Sequence, residues 1–191
     1  MPPIGNAELN TAPLGTPSSH PGMALLGTGV VAEIAQAHIY NEAGTPVYTG
    51  PRAGTRIGKG VYMTEIAGQW RKPNSWYCQI TAKYTEFQHT PKAWIPQYDS
   101  FGSLLWNGGE AAINRYIESL GHGWRPKYTI RLSELDEGAP KDENSILIPP
   151  ALLEQNGGLL GLRAWCAPDV EEMGDNRADI GEWESVGGKR V

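Results

Sequence analysis

Two cysteines, Cys78 and Cys166, and four histidines, His20, His38, His89 and His122, hold most of the nucleophilic and metal-binding potential of this chain. A thiolate with an imidazole base would pair Cys78 with His89 or His122, the arrangement of a small Cys/His hydrolase. That chemistry wants the cysteine at a helix N-terminus, where the dipole lowers the thiol pKa. Cys78 lies instead in a stretch where Tyr77, Gln79 and Thr81 alternate with Trp76, Cys78 and Ile80, the period of a half-buried strand. Sharing a face with Trp76 and Ile80, it reads as a small core residue. The 88-residue separation of the cysteines offers no CxxC motif and leaves open whether they pair. No two histidines stand at i,i+3 or i,i+4, so there is no metal signature.

Carboxylates crowd at Glu134, Asp136, Glu137, Asp142 and Glu143. Two of them facing each other across a cleft would suit glycoside hydrolysis. Their Gly-Ala-Pro-Lys setting reads as a solvated turn. Gly27 to Ala32 matches G-x-G-x-x-A, but that fingerprint requires a preceding strand, a following helix and a βαβ unit, which this stretch does not supply. No cofactor is expected.

The elements that must position any site are short. Glycine (24) and proline (15) are scattered without a period, favouring brief strands and many turns. Residues 1–23 are polar and rich in Pro, Gly and Ser, an expected flexible arm. Residues 30–40 fit either a strand or a short helix. Beyond them, β-branched and aromatic runs alternate with Gly50-Pro51, Gly58, Gly60, Pro73-Asn74 and Pro91, the rhythm of an all-β barrel. The apolar stripe Ala112, Ile113, Tyr116, Ile117 and Leu120 predicts a helix capped by Asn107 and stopped at Gly121. Strands are expected over 127–132 and 159–166, and a short helix over 149–154. The domain reading is an arm at 1–23, a barrel at 24–100, an α+β extension at 101–166 and an acidic flexible tail at 167–191.

The stretch 45–98 resembles the bacterial SH3 (SH3b-type) family. Val47-Tyr48-Thr49-Gly50-Pro51, Ile57-Gly58-Lys59-Gly60, Trp76-Tyr77 and Ala93-Trp94-Ile95 stand where that family has its Val-Arg-Ser-Gly-Pro-like segment, glycine-rich distal stretch, Trp-Tyr pair and closing Gly-Trp-Val. Tyr48 and Thr49 replace the usual Arg and Ser or Ala, and residues 83–91 are inserted. The resemblance implies a five-to-six-stranded barrel that binds a peptide, glycan or protein surface. In that geometry Tyr48 and Tyr98 fall at a rim, Trp76 and Trp94 plug the core, and Trp70 tips a loop. The expected ligand-binding residues are Tyr48, Arg52, Trp70, Tyr98 and Trp106.

Seven tryptophans and eight tyrosines against two phenylalanines suit such half-exposed positions, because both rings carry a polar handle. The net charge of −5 is concentrated toward the C-terminus, while 31–100 is net basic without a basic stripe. Nucleic acid is therefore not an expected partner. No apolar run reaches membrane-spanning length, and no secretory signal pattern opens the chain. The expectation is a mainly β, SH3-like, non-enzymatic recognition module. Its alternative is a structural subunit of a phage particle, filament or other assembly, self-associating through residues 1–23. The compartment stays open between the cytoplasm and a particle or apparatus released by another route.

Overall fold

A computed structural model describes residues 22–31, 34–50, 55–69, 74–136, 143–153, 157–174 and 177–190. Residues 1–21 of the arm expected over 1–23, Arg52 and Trp70 lie outside them, while Met23 already belongs to a strand. The fold is mainly β with few helices. In chain order the elements are β1 Met23–Val31, α1 Ile34–Ala43, β2 Val61–Thr64, β3 Trp76–Lys83, α2 Tyr84–His89, β4 Lys92–Trp94, α3 Glu110–Ser119, β5 Ile130–Glu134, β6 Asn144–Ile148, β7 Arg163–Ala167 and β8 Val186–Gly187.

The eight strands are ordered β7-β3-β1-β2-β6-β5-β4-β8. All pairings are antiparallel except β4 with β5 and with β8. A single register pair, Thr28 with Thr64, joins β1 to β2. The sheet thus has two halves that meet along that narrow seam. At the seam Gly27 is required, because a Cβ there would lie 2.8 Å from the Thr64 carbonyl oxygen. This close approach of two backbones accounts for a glycine of the dinucleotide-like pattern.

The expected boundary at residue 100 does not divide the sheet. β2 pairs with β6, β3 with β7 and β4 with β5, so strands of the first hundred residues are interleaved with strands from the second half. The tail at 167–191 also departs from expectation. Ala178 donates its N–H to the Glu65 carbonyl, β8 pairs with β4, and Trp183 packs edge-on against Phe87 with ring centroids 4.8 Å apart. Its apolar residues Met173, Ala178 and Ile180 are buried, which offsets the entropy of ordering an acidic segment.

One face of the sheet carries Met63, Ile80, Leu132 and Ile146, all buried beneath Ala37 and Tyr40 of α1 and Phe87 of α2. The opposite face packs Leu147 against Ile113 and Ile117 of α3, the helix that its apolar stripe predicted. Its N-cap is Gly109, at φ 84° and without a side-chain cap, rather than Asn107. The 30–40 ambiguity resolves as a strand ending at Val31 followed by α1. Strand β3 is buried on both faces instead of half-buried, because β1 and β7 flank it and layers cover both sides.

Cys78 and Cys166 stand directly opposite on β3 and β7 and are joined by a disulfide. The outer edge of β7 is also covered. The Asn41 side chain accepts from the Cys166 N–H at 2.7 Å and donates to its carbonyl at 2.8 Å. One amide of α1 thereby imitates a ninth strand and blunts an edge that would otherwise invite pairing.

Candidate functional site

The most exposed aromatic among the described residues sits on a hairpin between β4 and α3. The Asp99 carboxylate accepts the N–H groups of Phe101 (2.9 Å) and Ser103 (2.8 Å). Gly102, at φ 80°, donates to the Asp99 carbonyl, and Leu105 donates to Gln97. Tyr98 bridges Leu104 across the turn. These bonds hold the Asp99 carboxyl below its usual range, the Ser103 N–H most of all. The Asp-Ser-Phe-Gly-Ser segment is a self-capped turn in which the aspartate satisfies the loop's own donors. It presents Phe101 at 91% exposure, flanked by Tyr98 at 52% and Leu104 at 47%.

At the base of the hairpin Trp106 turns inward. Its Nε1–H donates to the Ile95 carbonyl at 2.9 Å, and its ring packs among Ile57, Ile95 and Ile113 under the Arg56 guanidinium. The expectation that Trp106 lines a groove is thus corrected: it anchors the loop on the core. Tyr98 is exposed as expected. Tyr48 is half-buried, and burial together with the Glu110 charge raises its hydroxyl pKa. Phe101 and Leu104 were missed in the sequence. The signal for them was an apolar aromatic inside a run of Asp, Ser and Gly, a place where no core demands it.

A second cluster, equally unforeseen, joins Glu110 to Arg131. The guanidinium spans both carboxylate oxygens, Nη1 to Oε1 at 3.1 Å and Nη2 to Oε2 at 2.8 Å. Nη1 also donates to the Ile57 carbonyl at 2.8 Å, and the Lys59 N–H donates to Glu110 Oε1. Burial alone would raise the Glu110 pKa, but Arg131 and the Lys59 N–H hold it below the usual range. Gly58 is obligatory here, since a Cβ would fall 1.8 Å from Arg131 Nη1. Tyr62 completes the clamp by donating to the Gly58 carbonyl and accepting from the Ile57 N–H, and burial pushes its pKa to about 12. A carboxylate with these donors and a lowered pKa is a poor proton shuttle. The cluster pins the 57–60 loop to α3 and β5.

The remaining sequence candidates do not converge. The Cys78 sulfur is bonded to Cys166, so no thiolate is available to His89 or His122. Both histidines are exposed, and His122 stacks on Trp124. Glu134 pairs with Arg190 and Asp136 with Arg56, while Glu137 and Asp142 lie outside the described residues. No group of three His, Cys, Asp or Glu side chains suited to a metal is found among the described residues.

Comparison with known families bears on all of these clusters at once. DUF5910, described as a family of unknown function, matches residues 55–189. The chain belongs to this family. The DUF5910 match spans the Phe101 hairpin, the Glu110–Arg131 clamp and both cysteines, and it crosses the end of the SH3b-like stretch at 98. Tyr48 and Arg52 lie outside it. No curated protein matches the chain. Among the described residues no helix is long and apolar enough to cross a membrane.

Proposed function

We propose that this DUF5910 protein is a non-enzymatic recognition protein that inserts the Tyr98–Leu104 hairpin into an apolar pocket of a protein partner. This keeps the role that the SH3-like resemblance implies while replacing an aromatic groove with an aromatic finger. The observation that carries it is Phe101, 91% exposed on a turn whose shape is fixed by its own hydrogen bonds. A preformed aromatic anchor loses little entropy on docking, and such anchors dominate interface energetics. No lysine or arginine occurs between residues 93 and 114, which disfavours an anionic lipid surface as the target. The buried Cys78–Cys166 bond fits a protein that works in an oxidising compartment.

The test is to immobilise the wild type, Phe101→Ser and, as a control for exposed apolar residues, Leu159→Ser. A partner retained by the wild type and by L159S but weakened about 30-fold by F101S, a hot-spot loss of roughly 2 kcal/mol, supports the reading. Equal retention by all three overturns it. If F101S instead abolishes self-association, the partner is another copy, and the assembly subunit becomes the better description.

A further inference from the structure

Three segments of the chain converge where β1 begins and β3 ends. Register sets Met23 opposite Lys83, the Tyr84 N–H donates to the Gly22 carbonyl at 2.8 Å, and the Lys83 N–H donates to the Leu160 carbonyl at 2.9 Å. Leu160 belongs to a turn closed on itself, with Gly161 donating to Gly158 and Leu162 to Gly157. A Cβ at Gly161 would lie 2.9 Å from Lys83 Cε, so this glycine lets the lysine stem lie across the turn. The turn holds out Leu159 at 75% exposure, and Tyr84, one residue from the same Lys83–Leu160 bond, is 52% exposed. Arg163 stands opposite Thr81 and so shares a sheet face with Lys83. Both cations are exposed, and neither has an ion-pair partner among the described residues. Two apolar tips flanked by two open cations thus lie where residues 1–21 join the sheet.

We infer that the occupant of this surface is the chain's own segment 1–21, docked in cis with Leu14 against Leu159 and Tyr84. Attachment favours it. Leu14 precedes Gly22 by eight positions, a reach of up to roughly 26 Å of extended chain, and Gly22 is bonded directly to Tyr84. A tether this short gives an effective concentration in the millimolar range, so a weak apolar contact suffices. Composition supplies complementary groups. The segment carries five prolines and, among Asp, Glu, Lys and Arg, only Glu8. Prolines preset an extended backbone that loses little entropy on docking and suits an exposed aromatic ring such as Tyr84. Leu14 follows Pro13 and matches Leu159 in character, while Glu8 is the counter-charge for Lys83 and Arg163. The segment then covers this end of the sheet, and another protein reaches Tyr84 and Leu159 only by displacing it.

The experiment uses the full chain, isotope-labelled, and reads the backbone order parameter of Leu14 by NMR relaxation. Docking predicts a value above about 0.6 in the wild type, falling below it in Tyr84→Ser and in Leu159→Ser. Both changes are at exposed positions and leave the fold intact. Glu8→Gln should lower the value part-way, as should high salt, because the ion pairs lie at the surface. Phe101→Ser should leave it unchanged, which separates this surface from hairpin docking. A photoreactive benzoylphenylalanine in place of Thr16 then shows whose segment is bound: irradiation should give a cross-link to Tyr84 or Leu159 within one chain. A wild-type value below about 0.6, a value indifferent to both serine variants, or a cross-link that joins two chains overturns the inference.

Discussion

The two faces of one set of strands differ in kind. On one face β2, β3, β5 and β6 bury Met63, Ile80, Leu132 and Ile146; on the other the same strands bury Thr64, Gln79, Ser133 and Ser145 at the same depth. Equal burial with opposite chemistry separates two roles. The apolar face supplies the driving force for folding, since transfer of such side chains from water is favourable by roughly 1.5–3 kcal/mol each. The polar residues return none of that and include unpaired groups, although the same face also buries Leu147 against α3. Sites that lower stability without a packing reason are where function tends to lie.

The comparison can be broken or sharpened by substitution. The largest effect is expected from removing the disulfide that staples the apolar face. Replacing Cys78 and Cys166 together by alanine should lower unfolding free energy by about 4 kcal/mol, near the upper end because the closed loop is long, read by denaturant titration. Ile146→Ala on that face should cost about 3 kcal/mol through lost transfer energy and a residual cavity, and a loss under about 1 kcal/mol would refute its role as core. On the polar face the sign should reverse: Gln79→Met removes two unpaired buried groups and should raise stability by about 1–2 kcal/mol. Destabilisation there would show that the amide is held by something the face needs.

A smaller effect tests the docking of the C-terminal segment. The buried Lys92 ammonium donates to the carbonyls of Phe87, Gln88, Thr90 and Glu184. Burial lowers its pKa to about 8, against the pull of the Glu184 carboxylate. The folded pKa lies below the unfolded value of 10.5, so the unfolded chain binds more protons between them and stability rises with pH in that window. The wild type should gain stability between pH 8 and 10 relative to Lys92→Met; a parallel pair of curves would refute the shift. The smallest effect is expected from Phe101→Ser, within about 0.5 kcal/mol of the wild type, because the ring touches little of its own protein.

Much of the local structure was legible. The α3 stripe, the existence of strand β3 and the turn signals around Gly58, Gly60 and Gly121 each follow from short-range periodicity and backbone sterics, which a sequence displays directly; the burial of β3 on both faces came from its neighbours. Trp106 was misread because exposure of a tryptophan depends on what lies over it, here Arg56 and the Ile57 loop from fifty residues away. Phe101 was overlooked for the converse reason: nothing covers it, and no pattern announces an absence of cover. Glu110 and Arg131 are separated by 21 positions and gave no motif, since their pairing depends on where α3 lands on β5.

The sequence by itself determined a β-rich chain of short strands, the amphipathic helix after residue 109 and a cysteine on an apolar strand face. Tertiary structure alone decided that Cys78 meets Cys166, that the acidic tail folds back through Lys92 and β4, and that Gln79, Thr64, Ser145 and Ser133 form one row. The physical reason is range. Propensity and periodicity act over a few residues, whereas sheet order pairs β2 with β6 and β3 with β7 across most of the chain, and only that order tells which polar side chains are buried side by side.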